Sequence, residues 1–284
     1  MAVVRADLHC HSSASDGTRP PADVVARAAA AGLSALALTD HDTIAGIAAA
    51  AAALPHGLAL IGGMELSCRR EGHSVHLLGY LFDHAHEELA EQIHAIRASR
   101  VERANTMIAK LNDLGVAVSW DQVTRIAGGG VIGRPHIARA MMEVGVVGSV
   151  AEAFTPAWIG PGGPAHVRRY ALDPAEAIRL VHAAGGVTVL AHPLAVTRGW
   201  VVPDDLIAEL AQAGLDGVEV AHPDHDPEQR DQLLTVARRL GLAATGGSDD
   251  HGELTGDRIG CEATGAEDLD ALLQRATGAA VITG

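Results

Sequence analysis

Aromatic side chains are nearly missing: three Trp, two Tyr and two Phe make up 2% of the 284 residues. Hydrophobic residues still reach 48%, so a full core is available and must be built from Ala, Val, Leu and Ile. Cysteine is scarce as well. Cys10, Cys68 and Cys261 are odd in number, far apart and form no C-x-x-C pair. That excludes a cysteine zinc ribbon, gives no sign of a disulfide framework and fits a reducing cytoplasm. Positive charge is in deficit, with a net charge of −14, which argues against a protein held on duplex nucleic acid by a broad basic surface. It leaves room for a small phosphorylated substrate, since bound cations would supply positive charge locally. Long apolar runs are absent: the longest uncharged, Ala-rich stretch, 43–54, is too short to span a bilayer, so no membrane role is expected. The opening MAVVRADLH lacks the charged segment and apolar h-region of a secretory signal. The expected location is cytoplasmic.

One residue type is in excess: there are sixteen histidines. The first stretch that uses them is VVRADLHCHS, 3–12. As a strand it sends alternate side chains to one face, so Asp7, His9 and His11 point one way and Leu8 and Cys10 the other. Two imidazoles so spaced, at the end of an apolar strand, can grip one divalent cation. A lone H-x-H is more often a satisfied pair of ordinary histidines. Here further His, Asp and Glu clusters follow.

Those clusters sit on a strand–helix rhythm. Pro20 and Pro21 start a helix over 22–31 that Gly32 ends, and 35–39 is an apolar strand running into Asp40-His41-Asp42. A helix over 44–54, a strand over 58–61 leading to Glu65, and a strand over 75–82 hairpin-paired with 65–68 follow. After 173 the rhythm returns: helices over 175–184, 204–213, 227–240 and 267–274 alternate with strands over 187–190, 217–220, 242–245 and 281–282. Between 83 and 167 it lapses into helical periodicity at 87–114, 120–127, 135–144 and 149–154, followed by the Gly/Pro-rich return PAWIGPGGPAHV. The expected architecture is α/β, a β/α barrel of 1–82 and 168–284 with 83–167 inserted as a helical cap over its mouth.

His9, His11, Asp16, His41, Glu65, His76, His192, Asp249 and His251 are the candidate metal ligands. Most stand at or just past a strand end. In a β/α barrel those ends share one rim, where catalytic groups gather, so residues spread over about 240 positions are expected to face one cavity. Six imidazoles and three carboxylates without a thiolate suit Mn2+, Fe2+ or Zn2+ rather than Ca2+. Nine ligands exceed what one ion takes. Two divalent ions are expected, or three if Glu65 bridges, with Mn2+ the first choice. Such ions polarise a phosphoryl group and bind hydroxide as a nucleophile. Asp7, Asp40 and Asp42 are expected to orient imidazole N–H groups, although Asp40 fits a turn nearly as well. Arg134 is a candidate phosphate clamp, and His136 lies beside it in IGRPHIAR. His222 and His225 are expected to line the pocket or form a plain loop. Arg168 and Arg169, at the end of the cap, are candidates for touching substrate.

With DLHCHS at 7–12, SDG at 15–17, TDHD at 39–42, the Glu65 strand end, VHLLGY around His76, AHP at 191–193 and GSDDH at 247–251 in view, the chain resembles the polymerase and histidinol phosphatase (PHP) superfamily. The resemblance implies a distorted (β/α)7 barrel with a two- or three-metal phosphoesterase site. The insertion carrying GRPHIAR resembles the subgroup of 3′,5′-nucleotide bisphosphate phosphatases and short-RNA 5′ exonucleases. That pattern implies one metal on His9, His11, Glu65 and Asp249, a second on Glu65, His76 and His192, and a third on Asp16, His41 and His251. It also implies that Arg134 and His136 reach the substrate phosphate as catalytic and binding groups. His222 and Arg169 are further substrate candidates from their own positions, after a barrel strand and at the end of the cap. The expected activity is metal-dependent hydrolysis of a phosphate ester of a small nucleotide or short oligonucleotide by metal-bound hydroxide. The alternative is another metallohydrolase of the same fold, a histidinol-phosphate phosphatase or an amidohydrolase.

Overall fold

The computed structural model describes residues 4–198 and 200–284; residue 3, where the first strand was expected to begin, lies outside them. In chain order the elements are β1 (Ala6–Asp7), α1 (Pro21–Ala30), β2 (Ala35–Leu38), α2 (Ile47–Ala52), β3 (Ala59–Arg70), β4 (His73–Tyr80), α3 (Glu87–Asp113), α4 (Trp120–Ala127), α5 (Arg134–Glu143), α6 (Val150–Ala153), α7 (Pro174–Ala183), β5 (Val187–Leu190), α8 (Asp204–Gln212), β6 (Gly217–Ala221), α9 (Pro227–Leu240), β7 (Ala243–Gly246), α10 (Ala266–Arg275) and β8 (Ile282–Thr283). Local chemistry accounts for the boundaries. Asp226 caps α9 by accepting from the Gln229 amide at 2.9 Å while Gln229 returns a bond to the Asp226 amide, a reciprocal cap that satisfies two otherwise orphaned donors. Gly241 ends the same helix at φ +69°, a conformation most side chains resist.

Seven strands follow one another as β1-β2-β3-β4-β5-β6-β7, with β8 added to the outside of β3. β1, β2 and β3 are parallel, as are β5, β6 and β7; β4 is antiparallel to both its neighbours because it folds back from β3 as a hairpin. The barrel is nearly closed. No regular ladder joins β7 to β1, but the Leu8 amide donates to the Gly246 carbonyl at 3.2 Å, and Asp249 and His11 exchange amide bonds with His9 and Asp250 at 2.7 and 2.9 Å.

This seam explains why β1 has only two residues where a ten-residue strand was expected. Beyond Asp7 the chain stays extended but switches partners residue by residue, to Gly246, Asp249, Asp250 and Thr39, so no continuous register forms. The segment between β4 and β5 has an apolar centre of its own, with Met107, Leu111, Val123, Ile137, Met141 and Ile159 among its buried members, all between Ala104 and Ala165. It meets the barrel through the first half of α3, whose Leu89 and Ile96 are buried in the barrel's own core, and through polar links. Arg100 donates from Nε to Asp42 Oδ2 at 2.7 Å and from Nη2 to Ser67 Oγ at 2.9 Å, and the Val131 amide donates to the Ala14 carbonyl at 2.9 Å. Among the described residues no helix is long and apolar enough to cross a membrane.

Candidate metal centre

The barrel rim carries three non-glycine residues in the left-handed region: Asp42 (φ 52°), His192 (φ 31°) and Asp249 (φ 48°). Each costs about 1 kcal/mol or more and persists only where neighbours hold it. The Asp42 amide bonds the Glu65 carbonyl at 3.1 Å, the His192 amide bonds Glu219 Oε2 at 2.8 Å, and the Asp249 amide bonds the His9 carbonyl at 2.7 Å. These turns aim side chains back across the rim. His76 arrives differently. It lies near the start of β4 opposite Ser67, and reaches the rim because that strand runs against the others.

The nine expected ligand residues converge. His9 Nε2 and His11 Nε2 are 3.2 Å apart. Both face Glu65 Oε2, at 3.4 and 3.2 Å, and Asp249 Oδ1, at 3.3 and 3.1 Å. His41 Nδ1 is 3.0 Å from the same Glu65 oxygen. The other Glu65 oxygen, Oε1, lies 2.6 Å from His76 Nδ1 and 3.1 Å from His192 Nε2. Asp16 completes a further cluster, with Oδ1 3.4 Å from His251 Nε2 and Oδ2 3.8 Å from His41 Nε2. Ligand atoms therefore gather as His9, His11, Glu65 and Asp249, as His11, Asp16, His41 and His251, and as His41, Glu65 and His76.

The electrostatics follow from burial against dense opposite charge. Burial alone would keep His11 neutral, but Asp249 and Glu65 outweigh it and push its pKa up to about 10. His9 is raised in the same sense, against burial, by Asp249, Glu219 and Glu65. Burial would raise Glu65 and Asp16; the surrounding imidazoles reverse this and hold both carboxyls well below the usual carboxylate range. Without a cation His9 and His11 thus take up protons to balance the carboxylates. His11 Nδ1, Asp16 Oδ1, His41 Nδ1 and Glu65 Oε2 are enclosed yet lack a hydrogen-bond partner. Buried polar atoms normally have one. Imidazole and carboxylate lone pairs aimed at shared points, with no thiolate, are a donor set suited to borderline divalent cations.

Glu219 was absent from the expected site, yet it is buried among it. Its Oε1 lies 3.1 Å from His9 Nδ1, which fixes the hydrogen on that nitrogen and leaves Nε2 free to face the ligand cluster. Burial would raise its pKa, but His9, His222 and His192 bring it down to about 2. The clue in the sequence is one Glu inside the otherwise apolar strand GVEVA.

The three aspartates expected to orient imidazoles do other work. Asp7 accepts from the amides of His9, Ser248 and Gly260. Asp40 binds the Ser12 amide and the hydroxyls of Ser12 and Ser15. Asp42 takes the Ser67 amide and Arg100. They shape the loops that carry the histidines, because their short side chains reach nearby amides and hydroxyls first.

Of the expected substrate residues, His136 is buried and its Nδ1 accepts from the Gly133 amide at 3.0 Å, so a neutral ring carries its hydrogen on Nε2. Burial, helped by Arg139 and Arg100 against Asp16, lowers its pKa and favours that neutral ring. Gly133, at the head of α5, borders the cluster: a Cβ there would stand 3.5 Å from Asp16 Oδ2. The Arg134 guanidinium lies over the Phe154 ring, 4.8 Å from its centroid. Arg169 Nη1 donates to the Tyr170 carbonyl at 3.1 Å. His222, expected against substrate, is fully buried behind the rim, with Nε2 3.5 Å from Asp249 Oδ2 and Nδ1 accepting from the Asp224 amide at 3.0 Å. His225 is buried too, bonding the Val220 carbonyl and the Leu194 amide, which makes it a loop brace.

A PHP domain model matches residues 7–121. A 5′-3′ exoribonuclease of Haemophilus influenzae is 39% identical over 248 residues, covering 86% of this chain and 89% of that protein. A 3′,5′-nucleoside bisphosphate phosphatase of Chromobacterium violaceum is 37% identical over 254 residues, 89% of each chain. A crystal structure of a proposed metal-dependent phosphoesterase from Bifidobacterium adolescentis superposes with a TM-score of 0.89 at 34% identity, covering 96% of both chains.

Proposed function

The chain belongs to the PHP family of metal-dependent phosphoesterases, and from that membership we propose that it hydrolyses a phosphate ester of a small nucleotide, a 3′,5′-bisphosphate nucleotide or a short oligonucleotide. The observation that carries this reading is Glu65. Its two oxygens serve two separate sets of imidazoles, His9, His11 and His41 on one and His76 and His192 on the other, as a carboxylate shared between cations must.

His9, His11, Glu65 and Asp249 would hold one cation, Glu65, His76 and His192 a second, and Asp16, His41 and His251 a third, with Mn2+ the preferred ion. When bound, the cations supply Lewis-acid activation of the phosphoryl group and of water. The chain's own residues do the rest. Glu219 keeps the His9 hydrogen on Nδ1. His222 Nε2 stands 3.5 Å from Asp249 Oδ2. Arg134 and Arg169 bind substrate phosphate through guanidinium groups, and His136 offers a neutral Nε2–H donor beside Asp16. The segment 83–167 acts as a cap that admits small phosphates and excludes long polymers.

The test is phosphate release from a panel of nucleotides and histidinol phosphate, with Mn2+ and after chelation. Metal-dependent release from a nucleotide is expected; release from none of them, by protein carrying its metals, would refute the proposal. Arg134→Ala is expected to raise KM for the nucleotide by about tenfold or more, the worth of a charge-assisted bond.

A further inference from the structure

Beyond β7 the chain carries two candidate ligands, Asp249 and His251, with a fully buried carboxylate, Asp250, between them. Asp250 Oδ2 accepts the Gly252 amide at 2.9 Å. Its Oδ1 accepts the Arg258 amide at 2.9 Å and the Thr255 hydroxyl at 3.2 Å. Thr255 Oγ1 in turn accepts from the His251 amide at 2.8 Å. A short carboxylate that captures nearby amides folds a loop back on itself, and here it brings residue 258 beside residue 249.

Arg258 uses that return. Its Nη2 donates to the Asp249 carbonyl at 2.8 Å and lies 3.8 Å from Asp249 Oδ2. The side chain is half-buried, with Nε enclosed and without an acceptor. Asp249 itself sits at φ 48°, a conformation that neighbours must hold. The His9 carbonyl holds its amide at 2.7 Å, while Arg258 and His251 Nδ1, at 3.0 Å, converge on its carbonyl. The carboxylate oxygens divide accordingly. Oδ1 faces His11 Nε2 and His9 Nε2 at 3.1 and 3.3 Å, and Oδ2 lies on the side of Arg258 and His222.

We propose that Arg258 is a positioning residue of the metal centre: its guanidinium fixes the left-handed turn at Asp249 and so aims Oδ1 at the cation that His9, His11 and Glu65 share. The inference rests on the metal-centre reading above and deepens it. Two effects of Arg258 oppose one another. Its charge repels a cation on Asp249, and its hydrogen bond holds the turn that presents the ligand. Lysine separates them. It keeps the charge, but its nitrogen ends one bond short of Nη2 and cannot replace the planar fork. Arg258→Lys therefore weakens cation binding only if the hold on the turn matters.

Two measurements test it. Chelated wild type and Arg258→Lys are titrated with Mn2+ by calorimetry. One class of site is expected to weaken about tenfold in the variant, the effect of losing a group that orients a ligand, while the other classes hold. In the same metal-free proteins, hydrogen exchange read by mass spectrometry is expected to quicken over residues 247–251 of the variant and to stay unchanged in α9. Wild-type affinity at every class, equal weakening of all classes, or unaltered exchange over 247–251 would overturn the proposal. If wild type binds no Mn2+, the metal-centre reading fails by itself, and the exchange comparison still decides whether Arg258 holds the turn.

Discussion

Glu219→Gln isolates a single hydrogen. In the native protein Glu219 Oε1 lies 3.1 Å from His9 Nδ1, and His9 Nε2 faces Asp249 and Glu65 at 3.3 and 3.4 Å. Glutamine has nearly the same volume, so packing is retained, but the charge is lost and its NH2 can donate to Nδ1. That moves the imidazole hydrogen to Nε2, where it blocks the lone pair a cation needs. A charge-assisted hydrogen bond is worth about 1.5–3 kcal/mol. Removing the orienting partner of a metal-binding histidine typically lowers affinity about 10–100-fold; the two figures agree, since tenfold is about 1.4 kcal/mol.

The assay is titration of chelated wild type and variant with Mn2+, followed by calorimetry and elemental analysis, with circular dichroism to confirm folding. One class of site is expected to weaken by that factor while the others hold, and activity lost at low Mn2+ is expected to return when the metal is raised. A folded variant with wild-type affinity at every site would refute the tautomer argument. So would a loss of activity that full metal occupancy does not restore.

Three further outcomes follow from the same geometry. The His11 pKa in metal-free protein is about 10 against an ordinary 6.5; a raised value means its stabilising contribution is whole below about pH 6.5 and lost as pH climbs towards 10. Chelated protein should therefore lose stability over that window, and Mn2+ binding at pH 7.5 should release protons, measured by calorimetry in buffers of differing ionisation enthalpy; no release contradicts it. Gly247→Ala places a Cβ 2.4 Å from the His9 Cβ and 2.8 Å from Glu219 Oε1, and should cost about 1–3 kcal/mol with a matching fall in metal content; an unchanged Tm would show that the seam can give. Asp216, away from the metal centre, is bonded by His182 at 2.8 Å and by the Thr188 amide at 2.9 Å, and these outweigh burial to hold its pKa below the ordinary 3.8. Its contribution is present above about pH 4 and lost as pH falls further, so Asp216→Asn should flatten the acid limb of stability in a urea series, and an unaltered acid limb would remove Asp216 from the account.

Most elements were legible because their signals are local. The Pro20-Pro21 start of α1, the hairpin between β3 and β4 and the Gly241 end of α9 depend on residues close together in the chain. The type of chemistry was legible for the same reason: imidazoles and carboxylates placed just past short apolar strands reveal a rim of ligands before any coordinates exist. Glu219 shows where this ends. Its strand was evident, but its bond to His9 joins residues 210 apart, and only the staggered seam between β7 and β1 brings them together. Asp7, Asp40 and Asp42 look like the same kind of residue in the sequence, yet bind amides, hydroxyls and Arg100. His222 passes for a pocket residue until the fold buries it behind Asp249.

By itself the sequence determined the order of strands and helices, the helical segment between β4 and β5, and the stock of nine ligand-type side chains, because propensity, capping and hydrophobic period act over a few residues. Tertiary structure alone decided which of those side chains share a carboxylate oxygen, which nitrogen of His9 carries the hydrogen, and that Arg100 engages Asp42. Such outcomes turn on differences of an ångström between groups distant in the chain, and those distances are set by strand register and three left-handed turns, neither of which a local pattern encodes.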